Sequence, residues 1–113
     1  MAVLIVDDDV DIRETLRDVL EDEGFEVAMA SNGIEAMTCL GDRRDIRVVV
    51  LDLAMPLMDG EQVYRAMRAD PRLARIPVVV ATSDPTRAPT DLPLMKKPIR
   101  LDRLIELVQR HAA

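Results

Sequence analysis

Three aspartates, a threonine and a lysine stand where apolar runs of this chain give out. Val3-Leu4-Ile5-Val6 runs into Asp7 and Asp8, and Val48-Val49-Val50-Leu51 runs into Asp52. Val78-Val79-Val80-Ala81 ends in Thr82, and the short stretch from Leu92 ends in Lys96-Lys97 before Pro98. Carboxylates brought close together repel one another and raise each other's pKa. A hard divalent cation relieves that repulsion; Mg²⁺ takes few carboxylates, keeps several waters and bridges naturally to phosphate. With a lysine and a hydroxyl nearby to donate to phosphoryl oxygens, the set reads as a phosphoryl-transfer site. Each residue taken singly has a plainer explanation. Asp52 opens a turn, Asp7 and Asp8 cap a helix, Thr82 closes a strand and Lys97 is solvated. Their shared position at the carboxyl ends of apolar runs is what argues for chemistry.

That position depends on the elements around them. Continuous β-branched runs suit strands buried on both faces. An unpaired Asp52 inside such a strand is costly, so it belongs at the carboxyl end. In open parallel α/β sheets ligands gather at that edge. Strands are predicted at residues 3–6, 25–30, 46–51, 78–82 and, short, at 92–96, with Pro77 in the first position that a strand tolerates. Helices are predicted between them. Val10 to Glu23 carries Ile12, Leu16, Val19 and Leu20 as one apolar stripe, with Gly24 as its stop. Ile34 to Leu40 follows a Ser31-Asn32-Gly33 turn and turns Ile34, Met37 and Leu40 inward. Glu61 to Ala69 buries Val63 and Met67, and Arg100 to His111 carries Leu101, Leu104, Ile105 and Val108. Alternating strands and helices imply right-handed βαβ units and a parallel sheet. If the sheet is doubly wound with its first and third strands adjacent, Asp7, Asp8 and Asp52 meet at one edge.

The alternation breaks once. Ser83 to Asp91 contains Pro85 and Pro89, which allow about one helical turn, and Ala88 is its sole apolar non-proline residue. A loop or single turn is predicted there in place of a packed helix.

Composition bounds the rest. A chain of 113 residues is one domain with room for a core, 49% hydrophobic and 32% charged. Phe25 and Tyr64 are its only aromatics, so that core is aliphatic with Met as filler. A net charge of −6 argues against nonspecific nucleic-acid binding. One cysteine, Cys39, excludes an internal disulfide, fits a reducing compartment and falls in a helical pattern as a buried small hydrophobe. The apolar opening is too short for a signal peptide or membrane span, so a cytoplasmic protein is expected. His111, in a fraying last turn, suits a surface or dipole-complementing role.

From Val3–Asp8 through Leu51-Asp52, Met55-Pro56, Asp59-Gly60 and Thr82 to Lys97-Pro98, the chain resembles a receiver domain of the two-component response-regulator family. The resemblance covers essentially residues 1–113 and implies an α/β fold, flavodoxin-like, doubly wound, with a five-stranded parallel sheet in the order 2-1-3-4-5. It also implies Mg²⁺-dependent transfer of a phosphoryl group from a phosphohistidine on a histidine kinase or phosphotransfer protein. Carried over, Asp52 is the phosphoacceptor. Asp8, Asp52 and the Ala54 carbonyl hold Mg²⁺ directly, and Asp7 acts through a coordinated water. Lys97 and Thr82 serve the phosphoryl oxygens, and the Lys97-Pro98 peptide is cis. Asp9 falls at a variable position. Self-phosphorylation from a donor and slow autodephosphorylation are the most enzymatic activity this implies.

The chain departs from the family in its degenerate fourth helix and in Leu94, which stands where an aromatic usually couples to the threonine; Ser83 keeps the usual small residue. Two expectations follow. Apolar surface on the fourth and fifth strands is left uncovered on one face, marking a downstream partner or homodimer contact; and activation is read through an element other than residue 94. No direct nucleic-acid contact and no membrane insertion are expected. The chain ends soon after its last helix, so it is a stand-alone receiver or one cut from a longer protein.

Two rival readings stand beside this one. Asp7-x-Asp9 after an apolar strand, with Thr82 ending another, resembles a haloacid-dehalogenase-like phosphohydrolase, but the late acidic pair is missing and Asp52 has no role in it. A non-phosphorylated interaction module that keeps the fold is the other.

Overall fold

A computed structural model describes residues 1–112. Five parallel strands form one sheet, as the alternation of elements implied, and their order β2-β1-β3-β4-β5 is the one the family resemblance implied. They are β1 (Ala2–Val6), β2 (Glu26–Ala30), β3 (Ile46–Asp52), β4 (Val78–Thr82) and β5 (Leu94–Lys96). Four helices complete the two layers: α1 (Val10–Asp22), α2 (Gly33–Asp42), α3 (Gly60–Ala69) and α4 (Leu101–Ala112).

β1 and β4 are buried along their whole length and β3 nearly so, which is why their sequences are unbroken apolar runs and not alternating ones. Opposite pleats of each strand feed two separate cores. Leu4, Val49, Leu51 and Val80 pack under α2 and α3, while Ile5, Val50, Val79 and Met95 pack under α1 and α4. The register pairs Val6 with Leu51 and Asp52 with Ala81, so the residues that follow β1 open beside the end of β3. Thr82 pairs with Lys96, one residue before Lys97.

Several helix faces differ from expectation. Asn32 caps α2 by accepting from the Glu35 N–H at 2.9 Å, and this start turns Gly33, Ala36 and Leu40 inward. Ile34 is left 55% exposed and Cys39 half-buried, its thiol pushed up chiefly by burial. In α4 the buried stripe is Leu104, Leu107, Val108 and Ala112, rotated away from Leu101, which lies at the exposed edge. The cap of α1 is Asp9, not Asp7 or Asp8: its Oδ1 accepts from the Asp11 and Ile12 N–H groups at 2.9 and 3.2 Å.

Between β4 and β5 there is only a 3₁₀ turn, Pro85–Arg87, capped by Asp84 and opened by Pro85. The shortened fourth helix is therefore a single turn. The uncovered apolar face expected beside it does not form. Ala88, Leu92 and Ile76 pack against the core cluster to which Val78 and Val80 belong, leaving Leu94, 36% exposed, as the large apolar residue showing on these two strands. Leu92, expected in the fifth strand, lies just ahead of it and covers part of the face that a full helix would cover.

Candidate phosphoacceptor site

The carboxyl ends of β1, β3 and β5 bring four charged side chains together. Asp7, Asp8 and Asp52 each offer a carboxylate oxygen within 4.8 Å of the others. Asp7 and Asp52 are buried, whereas Asp8 faces solvent. Lys97 Nζ donates to Asp7 Oδ2 at 2.8 Å and lies 3.5 Å from Asp52 Oδ2.

The electrostatics follow from this crowding. Burial raises the Asp52 carboxyl first, and the charge of Asp7 raises it further; Lys97 pulls the other way, Asp8 pushes up again, and the Ala54 N–H lowers it slightly. The result is a carboxyl that titrates at about 6. Burial works against the Lys97 ammonium, but the hydrogen bond and charge of Asp7, with Asp52 behind them, hold it above its ordinary value. One lysine thus serves two buried carboxylates at unequal distance, the nearer being Asp7.

Asp7 is held from three sides. Its Oδ1 accepts from the Asp9 N–H at 2.9 Å, its own N–H donates to the Ala30 carbonyl at 3.1 Å, and Arg13 Nη1 donates to its carbonyl at 2.7 Å. Arg13 carries no motif signal in the sequence, and it reaches the site from the first turn of α1.

The floor of the site is set by Gly60. Its N–H donates to the Leu53 carbonyl at 3.0 Å, and a Cβ there would be driven into the carbonyl oxygen of Asp52 itself. Asp59 starts α3 in a reciprocal capping box, its carboxylate accepting from the Gln62 N–H and the Gln62 side chain accepting from the Asp59 N–H, both at 2.9 Å. The loop between β3 and α3 turns tightly at Leu57, which adopts φ 68° and is exposed, with the Met58 N–H donating to the Pro56 carbonyl at 2.9 Å. This left-handed residue was not foreseen; no glycine marks it.

Thr82 is buried at the end of β4, where its hydroxyl is engaged with Asp84, accepting from that residue's N–H at 3.1 Å. Lys97 is fixed by its N–H, which donates to the Thr82 carbonyl at 2.8 Å, and the Lys97-Pro98 peptide is cis. Ala54 follows the strand end and is exposed. Asp9 lies outside the carboxylate cluster, its side chain committed to the α1 cap.

The fold and site define a doubly wound α/β domain with a carboxylate cluster and a paired lysine at the strand ends where ligands gather in such sheets. The chain belongs to the response regulator receiver domain family, whose sequence profile matches residues 3–109. It is 36% identical over 118 residues to an uncharacterised 14.6 kDa protein of Leptolyngbya boryana, covering 98% of this chain and 89% of that one. It is 40% identical over 81 residues to the DNA-binding response regulator MtrA of Mycolicibacterium paratuberculosis, covering 72% of this chain and 34% of that one. The aligned part is thus about a third of that regulator's length. Among solved structures it is similar to the response regulator protein TrrA of Thermotoga maritima in complex with Mg²⁺-BeF, with TM-score 0.85, 29% identity and coverage of 97% and 98%.

Proposed function

We propose that this domain is a phosphorylation-switched receiver in which Asp52 accepts a phosphoryl group from a phosphohistidine on a histidine kinase or phosphotransfer protein. The observation that carries the reading is the cluster of Asp7, Asp8 and Asp52 with Lys97 Nζ between two of its carboxylates. A carboxylate oxygen of Asp52 forms a bond to phosphorus as the phosphorus–nitrogen bond breaks, its electron pair staying on the imidazole. The product is an acyl phosphate.

Hard oxygen donors crowded to the point of repulsion fit a small divalent cation. Asp8, Asp52 and the Ala54 carbonyl would hold Mg²⁺, with Asp7 reaching it through water; when bound it offsets the negative charge on the phosphoryl oxygens. Lys97 already stands within reach of Asp52, and its ammonium turns from one carboxylate to the added phosphoryl oxygens. The Thr82 hydroxyl, at the adjacent strand end, supplies a neutral donor once it turns from Asp84. At neutral pH Asp52 lies above its titration near 6 and is the charged, nucleophilic form.

No helix among the described residues is long and apolar enough to cross a membrane. Cytoplasmic signalling follows from the class of partner, and output runs through contacts with a downstream protein or a second copy of this chain. Mass measured against concentration, with and without a phosphate mimic, separates those two.

Incubation with a small-molecule phosphodonor and Mg²⁺ tests the chemistry. Hydroxylamine-sensitive labelling of the wild type that is abolished in Asp52→Asn is expected. Labelling that survives Asp52→Asn but disappears in Asp7→Asn would transfer the nucleophile to Asp7 and replace this reading with the hydrolase one.

A further inference from the structure

Resting on the phosphoacceptor reading of Asp52, we propose that Arg87 is a positioning residue of the site, latching the β4–β5 connection onto the start of α3. In doing so it holds the Thr82 hydroxyl on Asp84. The contacts form a ring. Arg87, in the single 3₁₀ turn, sets Nη2 3.0 Å from Glu61 Oε1 and 3.9 Å from Asp59 Oδ2, and its Nε donates to Glu61 at 3.1 Å. Asp59 and Glu61 flank Gly60, whose backbone rests on the Asp52 and Leu53 peptides. In the other direction the turn is capped by Asp84, which accepts from the Thr86 N–H at 3.1 Å. The Asp84 N–H in turn donates to Thr82 Oγ1.

The turn has little else to hold it. No residue of Pro85–Arg87 is buried, and a full helix that would anchor the segment by apolar packing is missing. Ala88 and Leu92 tether its far side, and Tyr64 Oη approaches Asp91 Oδ2 at 3.4 Å. On the side facing the site, Arg87 is the link to α3. When the Thr82 hydroxyl turns to a phosphoryl oxygen, the Asp84 N–H loses its acceptor and the capped turn loses its attachment to β4. The latch therefore favours the unphosphorylated arrangement. By reciprocity, breaking it favours the phosphorylated one. This is a route by which residues 84–88 report the state of Asp52 without an aromatic at position 94.

The test uses the whole chain with beryllium fluoride and Mg²⁺ as the phosphate mimic. Arg87→Gln and Glu61→Gln are each expected to tighten mimic binding roughly two- to fivefold, the range for a partly exposed ion pair. The double substitution should tighten no further than Arg87→Gln alone, since both remove one contact. In mimic-free protein, amide exchange at Asp84 and Thr86 should quicken in both variants while β3 amides such as Val50 stay unchanged. That pattern separates a local latch from general destabilisation. Unchanged or weaker mimic binding in Arg87→Gln, where the wild type binds, overturns the proposal. So does unaltered exchange at Asp84, whatever the binding result. A wild type that binds no mimic refutes the phosphoacceptor reading, and the exchange measurement still decides the latch.

Discussion

Asp52→Asn tests the site through stability instead of labelling. In the folded protein the Asp52 carboxyl titrates at about 6 against an ordinary value of 3.8, first because it is buried and then because Asp7 faces it. The gap is about two pH units, and one unit corresponds to about 1.4 kcal/mol, so the ionised carboxylate costs the folded state about 3 kcal/mol. The sign follows from proton counts. Between pH 3.8 and about 6 the folded protein binds more protons at this residue than the unfolded chain does. Stability contributed by Asp52 therefore falls as pH rises through that window and stays low above it. Asparagine is neutral throughout and of nearly the same shape. The variant should thus exceed the wild type by about 3 kcal/mol at pH 7, on the order of 10 °C in Tm, with the difference shrinking towards zero below about pH 4. Urea unfolding followed by circular dichroism in EDTA, from about pH 3.5 to 8, measures it. Mg²⁺ supplies a second arm. At a hundredfold excess over Kd a ligand confined to the folded state adds about 2.7 kcal/mol, so Mg²⁺ should close most of the gap by stabilising the wild type alone. A difference that stays flat across pH, or a wild type more stable than the variant at pH 7, would refute the account of a self-repelling site.

Two further substitutions separate scaffold from chemistry. Gly60→Ala places a methyl against the Asp52 carbonyl oxygen and 2.7 Å from Leu53 Cα, neither of which can rotate aside. It should cost about 1–3 kcal/mol of stability and reduce labelling of Asp52 by more than the unfolded fraction accounts for; wild-type labelling in folded Gly60→Ala would show that the floor of the site tolerates movement. Asp9→Ala removes the acceptor for two N–H groups at the start of α1 and should cost about 1 kcal/mol while leaving Mg²⁺ affinity and labelling unchanged. Abolished labelling in a folded Asp9→Ala protein would instead support the hydrolase-like role of the Asp7-x-Asp9 pair.

The strands were legible because burial on both faces leaves continuous apolar runs, whereas their order in the sheet came from the family resemblance and not from composition. Val48-Val49-Val50-Leu51, short, β-branched and set between charged segments, suits an interior parallel strand. Helix faces were read less well, and for a definite reason. A stripe drawn from apolar residues alone assumes that every large apolar side chain turns inward. In α2 the cap at Asn32 fixes the rotation, and it spends the inward positions on Gly33, Ala36 and Leu40, which leaves Ile34 outside. In the segment after Thr82 the prolines correctly excluded a helix. The sheet is covered all the same, because Ile76 and Leu92, on either side of that segment, join Ala88 against the core.

At the candidate site the same division appears between the residues proposed to react and the residues that place them. Asp7, Asp8, Asp52, Thr82 and Lys97 announce themselves because each sits where an apolar run stops, and strand ends are positions the sequence marks. Arg13 and Arg87 are two arginines among many in helical or turn contexts, with nothing local to distinguish them. What singles them out is the partner: the Asp7 carbonyl for Arg13 at 2.7 Å and the Glu61 carboxylate for Arg87 at 3.0 Å. The first is a local contact, six residues apart across the β1–α1 turn; the second forms only after the sheet does, since Glu61 and Arg87 are brought together across β4. Under the proposed function, the family pattern conveys the reacting groups, whereas the path that would report their state is built from such chain-specific contacts. In this chain, with a turn where a helix ordinarily lies, the Arg87 ion pair is the contact on which that path depends.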